Sequence, residues 1–289
     1  MSPKSSKHHF IPQYYINGFS DSYNLLYIYD KTRDKIKNGQ KGSGGVFFEL
    51  DRNTLNIDNT DNSILEEELF SKIDDELSKR MRKFCVLPFQ DIKDKDSSDI
   101  FLFLIDLFWR NPLNDETFRE MWTRSSITIH DRKSGEILND PSQVAFLMND
   151  PIHKKMERSK MTLTAFEEIL KNKKKGGKDN RIIDMKNEIF VLGDYPILFE
   201  KNPENQTELI TLDFLIPLNS KRMFSSRTED LVFFDYDDAM IYNALIIDQS
   251  QTTICSANKQ VLDESIRLYK HLIENDLIDT YRKRLFNKH

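Results

Sequence analysis

A chain of 289 residues, 38% hydrophobic and 31% charged with a net charge of −5, can bury a full core without a metal or disulfide staple. Its two cysteines, Cys85 and Cys255, stand far apart in apolar segments with no Cys/His cluster beside them, which argues against structural zinc and for a reducing, cytoplasmic setting. The apolar stretch Ile100 to Trp109 contains Asp106 and is about half a membrane span, and MSPKSSKHH has no apolar signal-peptide core, so no membrane association is expected.

In HHFIPQYYINGF, residues 8–19, Ile11, Tyr15 and Phe19 recur every four residues and Pro12 suits a first helical turn, so the segment is read as anchored rather than loose. LLYIY, from Leu25 to Tyr29, and Val46 to Leu50 after the glycines of KGSGG predict short strands. The Asn- and Asp-rich residues 51–62 read as a loop. The period then changes: Leu65, Leu69, Ile73, Leu77, Met81 and Phe84 share one helical face, with Ser63-x-x-Glu66 a capping-box pattern at its start. Ser98 or Asp99 caps IFLFLIDLFWR, apolar around nearly its whole circumference and therefore a buried helix, which must stop near Asn111-Pro112.

Asn114 to Arg124 reads as a further helix, and Asp140-Pro141 and Asp150-Pro151 are N-cap and first-turn proline signals for two more, the second running to about Lys173. KNKKKGGKDN is the place where the chain would divide, into a mainly helical part, residues 1–175, and a strand-rich part, residues 180–289. Ile182 to Met185, Ile189 to Leu192, Leu209 to Pro217 and Arg222 to Ser225 are extended runs. Asp235 to Ile247 should be helical, Thr252 to Cys255 a strand, and Lys259 to Phe286 one long final helix. Strands, then helices, then a mixture make an α+β class, read as a single domain over residues 1–289. No internal repeat is present.

Charge is uneven. Acid collects between Asp58 and Glu76, whereas Lys171, Lys173, Lys174, Lys175, Lys178 and Arg181 crowd one loop, and Arg282, Lys283, Arg284 and Lys288 end the chain. The lysine loop is the candidate contact for DNA or RNA, with a solvated face as the plain alternative.

Four groups carry candidate chemistry. His8 and His9 offer an imidazole as base, ligand or phosphate contact, or else pack at a terminus; no histidine occurs between His9 and His130, so an HNH-type nuclease pattern is incomplete. Glu66, with Glu67 and Glu68, is either a cap and helix-dipole partner or a reactive carboxylate. Arg110 ends a buried helix and must find an anion, whether an acid of the protein or a substrate phosphate. Asp194 in IFVLGDYPI sits at a strand end, where catalytic carboxylates and Asx-turns both occur. Nucleophile elbows, Walker loops and dinucleotide fingerprints are absent.

Taken together, Lys7, His8, His9, Pro12, Tyr15 and Phe19, then Glu66, Arg110 and Pro112, Asp194 and Pro196, and Pro217-Leu218 resemble domain of unknown function 4238, a bacterial family. Its members share an HHxxPxxYLxxF start, an acidic helix, an R-T-P step, a strand ending S-D-N-P and a later P-L. Asn111 stands where that pattern has threonine, and Gly193 and Tyr195 where it has serine and asparagine. The resemblance implies a shared fold and a shared polar site, and brings no established activity.

Histidine, carboxylate and arginine are the set that phosphoryl chemistry uses. The expectation is a nuclease-like hydrolase cutting a phosphodiester of nucleic acid with His8 or His9, Glu66, Arg110 and Asp194, with or without Mg²⁺ or Mn²⁺, and a role in bacterial defence. Two rivals stand beside it: an interaction module in which the same residues lock the N-terminal segment onto the helices, and a nucleotide-using transferase with Tyr14, Tyr15 or Tyr195 walling a base pocket. Oligomeric state is not legible.

Overall fold

The computed structural model describes residues 6–88, 97–131, 133–138, 140–171, 181–203, 206–226 and 234–286. The fold is α+β. One antiparallel sheet orders its strands Leu192–Gly193, Thr253–Ser256, Tyr27–Asp30, Lys35–Ile36, and a second orders Leu198–Phe199, Phe214–Asn219, Arg222–Ser225, Arg181–Asp184. The first sheet therefore joins the N- and C-terminal parts of the sequence, since Ile254 lies opposite Tyr29 and Gly193 in register. One buried apolar cluster runs from Ile11 to Phe286 and includes Phe103, Phe190, Phe214 and Tyr242.

Local chemistry accounts for the elements that matter here. The Ser97–Arg110 helix is buried at every position from Phe103 onward, as a helix apolar all round requires. It stops where Asn111 turns extended and its side chain accepts the Leu113 N–H at 3.0 Å. Asp140 and Asp150 cap the Pro141–Asn149 and Pro151–Lys171 helices through Ser142 and His153.

Several expectations are corrected. Residues 51–62 are not merely a loop: Leu55–Ile57 pairs with Thr60–Asn62 across Asp58 and Asn59, whose φ values of 50° and 59° are those of a tight hairpin turn that Asp and Asn tolerate. Leu209 to Asp213 are not extended, because a short helix, Gln206–Thr211, precedes the Phe214–Asn219 strand. Only Leu192 of the run Ile189 to Leu192 enters a strand. The final helix is two, Lys259–Glu274 and Ile278–Phe286. Asp276 takes φ 53°, and the Asp276 and Leu277 N–H groups close back on Ile273 and Leu272 carbonyls, a Schellman end without its usual glycine.

The capping box is also absent. Ser63 Oγ donates to Glu67, and the Glu66 N–H goes to the Ser63 carbonyl and not to its hydroxyl. The first turn, Leu65–Phe70, is π-helical before the α-helix Ser71–Val86 begins. Wide turns of this kind recur at functional sites. Here it leaves the Glu66 carboxylate free to bond elsewhere.

Candidate functional site

His8 and His9 lie on a short strand, Lys7–His9, that pairs antiparallel with Phe48–Leu50, so their rings leave on opposite sides. Both are buried, at 1% and 7% exposure. His8 Nδ1 accepts the Asn53 backbone N–H at 2.8 Å, and Asn53 Nδ2 donates to Glu66 Oε2 at 2.7 Å. His9 faces Arg110. Gln13 Nε2 donates to His9 Nδ1 at 3.2 Å, and Arg110 donates to the His9 carbonyl at 3.2 Å.

Arg110 is the hub. Its guanidinium forks onto Asp74, reaches Asp106 Oδ2 at 3.3 Å and lies 4.7 Å over the Phe70 ring. Glu66, Phe70 and Asp74 recur every four residues along one side of their helix, and Asp106 stands one turn before Arg110, so two helix faces meet around one cation. Burial opposes the charge on Arg110, but Asp74 and Asp106 together hold it firmly cationic. Asp106 is pushed up to about 6, because burial outweighs the share of Arg110 that Asp74 leaves to it. The His9 imidazole is lowered from 6.5 by burial first and by Arg110 second. Tyr14 is raised by burial and by the nearby Asp106 and Asp74 charges.

Several buried polar atoms here have no hydrogen-bond partner among the described residues: His8 Nε2, His9 Nε2, Arg110 Nε, Tyr14 Oη and Asp106 Oδ1. The Ser43 backbone approaches the His9 ring, and Thr162 the Asp106 carboxylate, neither in standard hydrogen-bond geometry. Native interiors leave few such groups without a partner, whether protein or ordered water. Their polarity follows from the partners already made. His8 Nδ1 accepts a backbone N–H, so its neutral ring carries the proton on Nε2 and presents a donor there, and His9 does the same when Gln13 Nε2 is the donor to its Nδ1. With that tautomer the imidazoles, Arg110 Nε and Tyr14 present donors, and Asp106 Oδ1 is the acceptor without a partner among the described residues.

Asp194 stands apart from this arrangement. Its carboxylate accepts the N–H groups of Gln251, Thr252 and Thr253 and the Thr252 hydroxyl, at 2.7 to 3.1 Å. Three of these bonds fall on Oδ2 and one on Oδ1, so the carboxylate is committed to the 251–253 turn. Only its backbone is linked to the site, through the Asn111 amide that donates to the Asp194 carbonyl. Arg181 opens an edge strand opposite Ser225; Lys171 ends a helix, and Lys173, Lys174, Lys175 and Lys178 lie outside the described residues.

Sequence reasoning missed Asn53, Phe70, Asp74 and the role of Asp106. Asp106 had a signal, being the one acid inside IFLFLIDLFWR and four residues from its arginine. Asp74 had only its spacing from Glu66. A surface recess lined by Tyr27, Ile36, Lys37, Asn38, Gly39, Lys259 and Asp263 shares no residue with the cluster and is set aside. No group of three or more His, Cys, Asp or Glu among the described residues is placed to hold a metal ion. The donor set also fits one poorly, because the Arg110 guanidinium already occupies Asp74 and Asp106.

A family described as a protein of unknown function, DUF4238, matches residues 7–260. The chain belongs to that family. No curated protein and no solved structure matches it. The DUF4238 positions fall into two sets. Tyr15 donates its hydroxyl to the Pro217 carbonyl, and the Gly18 carbonyl accepts the Ser220 N–H, so the N-terminal motif docks on the turn between two strands. His9 and Arg110 form the buried polar centre, with Glu66 and His8 joined through Asn53. Gly193 is required by its surroundings: a Cβ there would lie 2.1 Å from Ser250 Oγ and 2.8 Å from Ile246 Cγ2. Ser250 thus fills the space a serine at 193 would need. No helix among the described residues is long and apolar enough to cross a membrane.

Proposed function

We propose that this protein is a cytoplasmic hydrolase acting on phosphodiesters of nucleic acid, in the service of bacterial defence, with its reactive centre at Asp106, Arg110 and His9. One observation carries the reading: a carboxylate oxygen without a partner among the described residues, on a group that burial pushes up, shares its surroundings with N–H and O–H donors that also have none. A general base works best when its pKa is near the operating pH, and preorganised donors stabilise the charge that develops on phosphoryl oxygens.

RNA is the favoured substrate, because its 2′-hydroxyl is an intramolecular nucleophile and needs no metal-bound water. Asp106 Oδ1 takes the 2′-hydroxyl proton as the 2′-oxygen bonds to phosphorus. The bond from phosphorus to the 5′-oxygen breaks, that oxygen takes a proton from solvent, and the 2′,3′-cyclic phosphate left behind is opened by water as Asp106 returns its proton to the 2′-oxygen. Arg110 Nε and His9 Nε2 donate to the non-bridging oxygens. His8, on the far side of its strand, holds Asn53 and through it Glu66. Asp106, Arg110 and His9 are buried, so on this reading RNA enters only when the two helices part at Asp74, whose side chain is 30% exposed.

The test is incubation of the purified protein with labelled RNA and DNA in Mg²⁺, Mn²⁺ or EDTA. RNA cleavage that persists in EDTA and falls at least a hundredfold in Asp106→Asn and His9→Ala is the expected result. No cleavage in any condition, or equal cleavage by both variants, would sink the reading; loss in EDTA alone overturns its metal-free step.

A second reading rests on a specific observation. Arg110 is already neutralised by two carboxylates, and Glu66, Glu67 and Glu68 sit at the same edge, where they would repel a polyanion. On this reading the centre locks the N-terminal segment onto two helices, and the protein works as an interaction module.

A further inference from the structure

On the other side of the 51–54 turn, Arg52, Lys155 and Arg158 converge. Arg52 Nη2 and Arg158 Nη2 share one oxygen of Asp115, at 2.8 and 2.7 Å. Arg52 also pairs with Glu49. Lys155 Nζ donates to the Thr54 carbonyl at 2.7 Å, and Arg158 Nη2 reaches the Arg110 and Asn111 carbonyls at 3.3 and 3.4 Å. The arginine side chains are only 9% and 14% exposed, whereas Asp115 and Glu49 are 38% and 43% exposed. The acids face water more than the cations they serve. Exposed Asp51 is the other acid acting on Lys155.

Three cations thus meet three carboxylates, and the carboxylates stand nearer the water than the two arginines do. Burial first and the neighbouring Arg52 second pull Arg158 down to about 10 and lower Lys155, as close packing of like charges does. Donors are also left over. Arg158 Nε and Nη1, Arg52 Nε and two of the three Lys155 protons have no partner among the described residues, and none of these atoms is sealed from solvent. Guanidinium forks and an ammonium arranged in this way match the oxygens of a phosphate group.

We infer that Arg52, Lys155 and Arg158 form a phosphate-binding subsite, which seats a phosphate flanking the scissile one in a nucleic-acid strand. The last clause rests on the proposed phosphodiesterase; the subsite itself does not. The Asn53 backbone N–H holds His8 while Arg52 and Thr54, on either side of it, belong to the cation cluster, so one turn joins subsite and centre.

The test separates the two ideas. Thermal unfolding is followed in inorganic phosphate and in chloride at equal ionic strength, for wild type, Lys155→Gln and Asp115→Asn. Glutamine can still donate to Thr54, so Lys155→Gln removes charge with little structural loss. Phosphate should raise the wild-type midpoint, raise that of Asp115→Asn further because a competing carboxylate is gone, and leave Lys155→Gln nearly unmoved. In parallel, anisotropy of a labelled RNA should show about tenfold weaker binding by Lys155→Gln and a log–log salt slope smaller by about 0.7. A phosphate response of this pattern without RNA binding supports the subsite and overturns the nucleic-acid source. Equal midpoints in phosphate and chloride for all three proteins overturn the subsite whether or not RNA is cleaved, and an RNA salt slope unchanged by Lys155→Gln overturns its placement beside a nucleic-acid phosphate.

Discussion

Asp106 and His9 sit beside the same guanidinium and respond to pH in opposite senses. The Asp106 carboxyl rises from 3.8 to about 6 in the folded protein, so the fold binds this proton more tightly than the unfolded chain does. Its contribution is fully present below the unfolded value and is lost as pH rises through about 6. His9 is lowered, so the unfolded chain protonates first and stability from this residue is lost as pH falls below 6.5. Urea unfolding from pH 4 to 7.5 should therefore show Asp106→Asn with less decline on the alkaline side than wild type, and His9→Gln with less decline on the acid side. Identical profiles for all three would refute both assignments. At position 193, Gly193→Ser should destabilise by about 1 to 3 kcal/mol through overpacking, and Ser250→Gly should recover part of that loss. A double-mutant cycle by denaturant titration measures the coupling, and purely additive effects would show that Ser250 is not the obstacle.

Among elements, the segment from Lys7 to Phe19 has two duties. Its strand carries His8 and His9 into the centre, and its helical turn, Gln13–Ile16, places the Tyr15 hydroxyl on Pro217 and Ile11, Ile16 and Phe19 in the core. Tyr15→Phe keeps the ring and removes one buried hydrogen bond while leaving the Pro217 carbonyl unpaired, so it should cost about 1 to 3 kcal/mol, read as a lower denaturation midpoint with an unchanged slope. An unaltered midpoint would mean that the hydroxyl does not hold this segment. The periodicity of this stretch, and of Leu65 to Phe84, was legible because one face of each had to be apolar. The π-helical turn was not, because Ser63-x-x-Glu66 matches a capping box, and only the pull of Asn53 on Glu66 shows why it does not form. Asp58-Asn59 reads equally as loop or turn until Leu55 has a core to enter.

At the scale of the whole molecule, the Thr253–Ser256 strand sits between Leu192–Gly193 and Tyr27–Asp30, and Asp194 caps the turn that leads into it. The aspartate therefore matters to the fold by holding distant parts of the chain together. Its position after an apolar strand suggested catalysis, yet four donors from residues 251 to 253 settle its carboxylate, and nothing local to IFVLGDYPI indicates them. Arg110 shows the converse. A guanidinium ending an apolar helix has to be paired wherever the chain folds, so its importance was visible in FWRNP. Its partners were not, because Asp74 and His9 come from elements that only packing brings near. By itself, the sequence determined the α+β class, the buried central helix, the anchored N-terminal motif and the family, since hydrophobic period, proline and capping residues act over a few neighbours. Tertiary structure alone brought His9, Asp74, Asp106 and Arg110 to one buried place and Arg52, Lys155 and Arg158 to another. Those outcomes depend on desolvation and on which charge stands beside which, and both are set by contacts between residues far apart in the chain.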